Sequence, residues 1–132
     1  MKAILIIVIL SLLFFFGGYS QSVTKITSLS AEDFNKVLET KSVVLLDVRT
    51  PDEFAKEHIP GAINVDVNDS DFVSIIQNFV DQKALAIYCQ SGKRSKVAAL
   101  KLSEKGIEIY NLNSGLIDWE KAGFPTAGQS KQ

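Results

Sequence analysis

One cysteine stands in the 132-residue chain, and its neighbours mark it as a nucleophile. Cys89 opens the run Cys89-Gln90-Ser91-Gly92-Lys93-Arg94-Ser95. An apolar segment, Ala84-Leu85-Ala86-Ile87-Tyr88, precedes it and reads as a buried strand, and a helix is expected to begin near Ser95. A tight loop between a strand end and a helix start can turn successive backbone N–H groups inward, making a nest for an anion. The helix adds its positive end. Lys93 and Arg94 add two cations, Ser91 and Ser95 two hydroxyl donors, and Gly92 lets the backbone curl without a Cβ. All of these favour thiolate over thiol, so the Cys89 pKa is expected to be depressed. The cradle from Gln90 to Ser95 has the donors to hold a persulfide, a sulfite or the outer oxygens of thiosulfate.

The totals exclude several other chemistries. A single Cys allows no intrachain disulfide and no cysteine cluster for a metal, and nothing implies a cofactor. A Cys/His hydrolase is the other common use of one Cys. Its base would have to be His58, the only histidine, and nothing in the sequence pairs His58 with Cys89. His58 reads better as a structural or turn-capping residue. The formal net charge is −1 and no basic stripe is visible, so no nucleic-acid partner is expected. Attraction for an anion must be local.

The surrounding chain alternates between the two hydrophobic periods, as a scaffold for such a loop should. Strands are expected over Val23–Ile26, Val43–Val48, Ala62–Val67, Ala84–Tyr88 and Ile107–Leu112. Val43-Val44-Leu45-Leu46-Asp47-Val48 is nearly continuous in apolar residues, as for a parallel strand covered on both faces. Helices are expected after the Ser30 cap, from Thr50-Pro51-Asp52-Glu53 to about His58, over Ser70–Val80, from Ser95 to about Lys105, and over Leu116–Ala122. Gly106 is the natural stop of the fourth of these. The alternation argues for an α/β domain with a mainly parallel sheet and helices on both faces. In such sheets ligands bind beyond the carboxyl ends of the strands, which is where Cys89 falls.

The amino terminus is of another kind. Lys2 supplies a positive charge, Ala3–Phe16 is apolar apart from Ser11, and small and polar residues follow from Gly17 to Ser22. That order reads as a secretory signal, residues 1–22, cleaved after Ser20 or Ser22, with a mature domain over residues 23–132. The apolar run falls short of the about 20 residues that comfortably span a bilayer. An uncleaved membrane anchor is the alternative. A periplasmic or secreted location is therefore expected. A lone Cys in an exported domain is then unusual, since small exported domains tend to use Cys in pairs as staples.

Four segments, in order, resemble the rhodanese homology domain, covering about Thr27 to Pro125. They are Leu45–Phe54, His58-Ile59-Pro60-Gly61-Ala62-Ile63-Asn64, the Cys89–Ser95 loop, and Gly115–Trp119 followed by Gly123-Phe124-Pro125. The resemblance implies a doubly wound five-stranded sheet. It also implies that sulfane sulfur passes from a donor to Cys89 and then to a nucleophilic acceptor. Asp47 and Arg49 match positions that form a buried structural pair near the loop, and Trp119 is expected in the core. Six residues from Cys89 to Arg94 make the short loop of the sulfur-transferring branch. Phosphatase and arsenate-reductase relatives have one residue more, and arsenate chemistry by the usual route also needs a second thiol. The partners implied are a small anionic donor such as thiosulfate, a thiol or cyanide as acceptor, or a protein of a sulfur relay. A persulfide carrier without turnover is the alternative to an enzyme.

Overall fold

The computed structural model describes Gly18, residues 25–78, 80, 81 and 83–128. The expected signal segment, Val23 and Phe79 lie outside the described residues, apart from Gly18. The described residues form five strands: β1 (Ile26–Leu29), β2 (Val43–Asp47), β3 (Ile63–Asn64), β4 (Ala84–Tyr88) and β5 (Ile109–Leu112). Among the described residues five helices alternate with them: α1 (Ala31–Thr40), α2 (Pro51–Lys56), α3 (Phe72–Gln77), α4 (Lys93–Ser103) and α5 (Gly115–Lys121). The sheet is wholly parallel, in the order β1-β5-β4-β2-β3.

β4 lies inside this sheet, paired with β2 on one side and β5 on the other. Residues alternate across it. Leu85 and Ile87 face one layer with Leu46, Ile109, Phe72, Ile76, Ala98 and Leu102. Ala86 and Tyr88 face the other with Leu45, Leu112, Phe34, Leu116 and Trp119. Both faces are thus covered, which accounts for the continuous apolar runs. Each fully buried Leu, Ile or Phe contributes about 1.5–3 kcal/mol. Trp119 is a core residue, 2% exposed, packed edge-on to Phe34 and donating its indole N–H to the Pro125 carbonyl at 2.9 Å.

Several element ends differ from the periodic reading, for local reasons. Asp69 accepts the Asp71 N–H at 2.8 Å, and this tight turn delays α3 to Phe72. Gly92 takes φ +95° as the cap of α4, so the helix begins at Lys93, two residues earlier than expected. Gly106, φ +69°, follows its last turn. Ser30 and Thr50 cap α1 and α2, each accepting the N–H three residues on.

From β2 the chain crosses by α2 to one edge, and from β4 it crosses by α4 the other way. The two connections part above the carboxyl ends of β2 and β4. Open α/β sheets place their ligand crevice at such a point.

Candidate functional site

Cys89 follows β4 directly and is buried, 1% exposed, with a free thiol. What happens to its backbone shapes the loop. The carbonyls of Cys89 and Gln90 accept the N–H groups of Leu116 and Ile117, at 2.9 and 3.2 Å. Those N–H groups belong to the first turn of α5, where helix donors lack intrahelical partners. The loop's first two carbonyls are thereby drawn towards α5. The approach is so close that a Cβ on Gly115 would meet both carbonyls, and Gly115 also sits at φ +66°. A Cβ on Gly92 would run into the Asn113 carbonyl. Two glycines, far apart in sequence, let the Cys89 loop and the segment from Asn113 to Ile117 meet at one point.

Donors then converge on the sulfur. The Gly92 N–H donates to Cys89 Sγ at 3.1 Å. Ser95 Oγ accepts from the thiol at 3.6 Å and donates its own proton to the Gly92 carbonyl at 3.1 Å. Burial is the largest influence on the thiol and works against ionisation. The Ser95 hydroxyl and the backbone N–H groups of Ser95, Ser91 and Gly92 outweigh it together, and hold the Cys89 pKa below its usual value. The depression expected from the sequence is therefore present, and its leading stabilisers are hydrogen bonds. Arg94 feels the Cys89 charge, but behind its own carboxylate partner.

The other loop residues face different ways. Gln90 accepts from Arg49 through its side-chain oxygen at 3.1 Å. Lys93, at the first position of α4, is exposed and has no ion pair among the described residues. Ser91 is exposed. Arg94 spends both terminal nitrogens on Glu53, Nη1 to Oε1 at 2.7 Å and Nη2 to Oε2 at 2.8 Å. Both partners are about one-third exposed, 32% and 34%. This pairing is the strongest influence on Glu53 and brings its pKa down to about 2. The periodic reading placed Glu53 only in the opening turn of a helix. It does receive the Thr50 hydroxyl at 3.1 Å, but the tertiary fold also turns it to the loop.

Beneath the loop runs a buried polar network. Arg49 Nε donates to both Asp47 oxygens, at 3.0 and 3.1 Å, and Nη2 donates to Oδ2 at 2.7 Å. Nη2 also donates to the Glu57 carbonyl at 2.6 Å. Asp47 and Arg49 are 0% and 3% exposed. Burial opposes the Arg49 charge, and the Asp47 hydrogen bonds and charge outweigh it. The guanidinium also lies 5.9 Å from the Tyr88 ring, whose hydroxyl accepts the Ile59 N–H at 2.9 Å. Asp47 and Arg49 thus anchor the loop through Gln90. His58 sits apart from this chemistry: its Nδ1 donates to the Phe54 carbonyl at 2.7 Å, its ring stacks on Phe54, and its backbone pairs with Ala127.

Comparison with known proteins agrees with this architecture. The family model of the Rhodanese-like domain matches residues 30–122. A protein named thiosulfate sulfurtransferase GlpE, from Shewanella oneidensis, is 32% identical over 95 residues, covering 71% of this chain and 92% of its own. A Bacillus subtilis protein named "Putative sulfur carrier protein YrkF" is 32% identical over 102 residues, 76% of this chain and 54% of its own. The chain spans little more than half the length of such longer relatives. Among solved structures, a rhodanese-related protein from Thermoplasma volcanium superposes with a TM-score of 0.69 at 27% identity, covering 78% of this chain and 99% of that one. The loop built on Cys89, the all-parallel sheet beneath it and these matches lead to one conclusion: the chain belongs to the rhodanese-like family, whose matched members include a thiosulfate sulfurtransferase.

Proposed function

We propose that this domain is a sulfurtransferase that moves sulfane sulfur through a persulfide on Cys89. Thiosulfate or a related small anion is the donor in this reading, and a thiol or cyanide is the acceptor. The Cys89 thiolate attacks the outer sulfur of thiosulfate. A new S–S bond forms, the bond to the sulfonate sulfur breaks, and its electron pair leaves with sulfite. The acceptor then attacks the outer persulfide sulfur and releases the Cys89 thiolate. Cyanide leaves as thiocyanate. The hydrogen bonds that lower the Cys89 pKa favour the thiolate, and to that extent they do the work a general base would otherwise do. The Gly92 N–H donated to Sγ, with the Ser95 hydroxyl oxygen 3.6 Å from the same sulfur, is the observation that carries the reading.

A persulfide carrier, delivering sulfur to a protein partner with little turnover on small molecules, is the second reading. The engagement of the Arg94 fork by Glu53 favours it, because a small anion then finds fewer free donors. Intact mass after thiosulfate treatment tests the common step, and one added sulfur on Cys89 is the expected result. Steady-state turnover with thiosulfate and cyanide then separates enzyme from carrier. A chain that gains no sulfur from thiosulfate or from a less charged sulfane donor would end both readings.

The reading includes export. Residues 1–22 are proposed as a cleaved signal, on the charge, apolar run and small residues described above. Amino-terminal sequencing of the protein from its native cells should give Gln21 or Val23. A membrane-bound product that retains Met1 would show an anchor instead.

A further inference from the structure

Arg94 carries the forked donor best suited to an oxyanion near the loop, and it is already engaged. Its partner is well held. Glu53 lies in the first turn of α2, a helix fixed by the Thr50 cap and by Pro51 at its first position. The Thr50 hydroxyl holds Oε1 from one side while the guanidinium takes both oxygens from the other. A donor that recruits Arg94 must displace this carboxylate. A donor that leaves the pair intact meets an ion pair of net charge zero beside the thiolate. In either case Glu53 works against negative charge on the incoming molecule. Protonation does not relieve it, since the carboxyl stays ionised down to a pH of about 2.

We infer that Glu53 is a specificity residue of this loop: by neutralising Arg94 it sets the charge of the sulfur donor the site accepts, against dianions and in favour of donors with less charge. The inference rests on the sulfur-transfer reading of Cys89. A low-charge sulfane donor, such as a thiosulfonate or a persulfide presented by a larger molecule, is the class that fits. Glu53 does not touch the reacting sulfur. It acts through Arg94 and through the field at the loop.

Two donors with the same reacting atom isolate the effect. Thiosulfate carries two negative charges and methanethiosulfonate one. Each gives its outer sulfur to the Cys89 thiolate, and the leaving group is sulfite in the first case and methanesulfinate in the second. The ratio of their kcat/KM values cancels any change in thiolate population, since one thiolate attacks both. E53Q retains an oxygen to receive the Thr50 hydroxyl and leaves Arg94 its charge. The thiosulfate-to-thiosulfonate ratio should rise by roughly threefold to tenfold in E53Q, and fall by a similar factor in R94Q, which leaves Glu53 uncompensated. The double variant E53Q/R94Q restores a neutral pair, so its ratio should return to within about twofold of wild type. The gain in E53Q should shrink as salt is added. A merely structural role for Glu53 would slow both donors alike and leave the ratio unmoved.

A ratio in E53Q that is unchanged or lower overturns the inference while the sulfur-transfer reading stands. Such a fall would mean that Glu53 poses Arg94 for the dianion. If E53Q loses its fold, the R94Q and double variants carry the same comparison. A second measurement does not depend on transfer: protection of Cys89 by sulfate against alkylation with neutral iodoacetamide. Stronger protection in E53Q, in a protein that gains no sulfur from either donor, would uphold the charge selection and defeat the sulfur-transfer reading. Equal protection, again with no sulfur gained, would defeat both.

Discussion

Cys89→Ser is expected to lose sulfur transfer to background, a fall of at least about a thousandfold, while the protein remains folded. The size follows from the chemistry. A hydroxyl is not ionised near neutral pH, and the loop's donors do not come close to making it so. Cys89 differs because the Ser95 hydroxyl and the amides of Ser95, Ser91 and Gly92 overcome the cost of its burial. The fold survives because serine is nearly the same size and its oxygen can take over the Gly92 N–H, now donated to sulfur at 3.1 Å. A stability change of about 1 kcal/mol or less is expected. Mass after thiosulfate should show no added sulfur, and thermal melting should stay close to wild type. A folded serine variant that still transfers sulfur would remove Cys89 from the mechanism. The same geometry sets the pH behaviour of the native thiol. Its depressed pKa means that alkylation by a neutral reagent rises with pH through a midpoint below that of a free cysteine, and levels off above it.

Asp47→Ala is expected to be the most damaging change away from the reacting atom. It leaves the Arg49 guanidinium buried, 3% exposed, with its main counter-charge gone. Removing one partner of a buried pair costs about 3–5 kcal/mol, because the remaining charge is neither solvated nor paired. That is a large part of the 5–15 kcal/mol that holds a typical domain together. The damage should also reach the loop, because Arg49 holds the Gln90 side chain at 3.1 Å. Denaturant unfolding should show the loss, and sulfur transfer should fall in the fraction that remains folded. The matched double variant D47L/R49M leaves no buried charge and should recover most of the stability, though not the grip on Gln90. A cost below about 1 kcal/mol for D47A, well under the range for a broken buried pair, would mean that water reaches Arg49.

The alternation of strand and helix was legible in the chain because both faces of the sheet are covered. Val43–Val48 and Ala84–Tyr88 read as strands with no polar face to confuse the period, and the structure has β2 and β4 there. Helix starts were legible where a side chain does the capping, as at Ser30 and Thr50, since an Oγ three residues before an N–H is a local event. The loop that holds Cys89 was legible too, because one Cys at a strand end, a glycine and a helix start lie within seven consecutive residues. Boundaries set by backbone geometry were less so. The φ of +95° at Gly92 starts α4 earlier than its side chains suggest.

What the tertiary structure decided is where the charges go. Arg94 and Glu53 are 41 residues apart, and no local pattern joins them. They meet because α2 and α4 leave neighbouring strands at the same end of the sheet and part there. Gln90 turns to Arg49 for the same reason, across the β2–β4 pairing. Gly115 is the clearest case. By sequence it is one glycine before a short helix. In the fold it is the residue whose missing side chain lets the amides of Leu116 and Ile117 take the carbonyls of Cys89 and Gln90. Residue types along the chain determine which groups can ionise, donate and bend. Strand order determines which of them face one another, because contacts across a parallel sheet join segments separated by whole crossover helices.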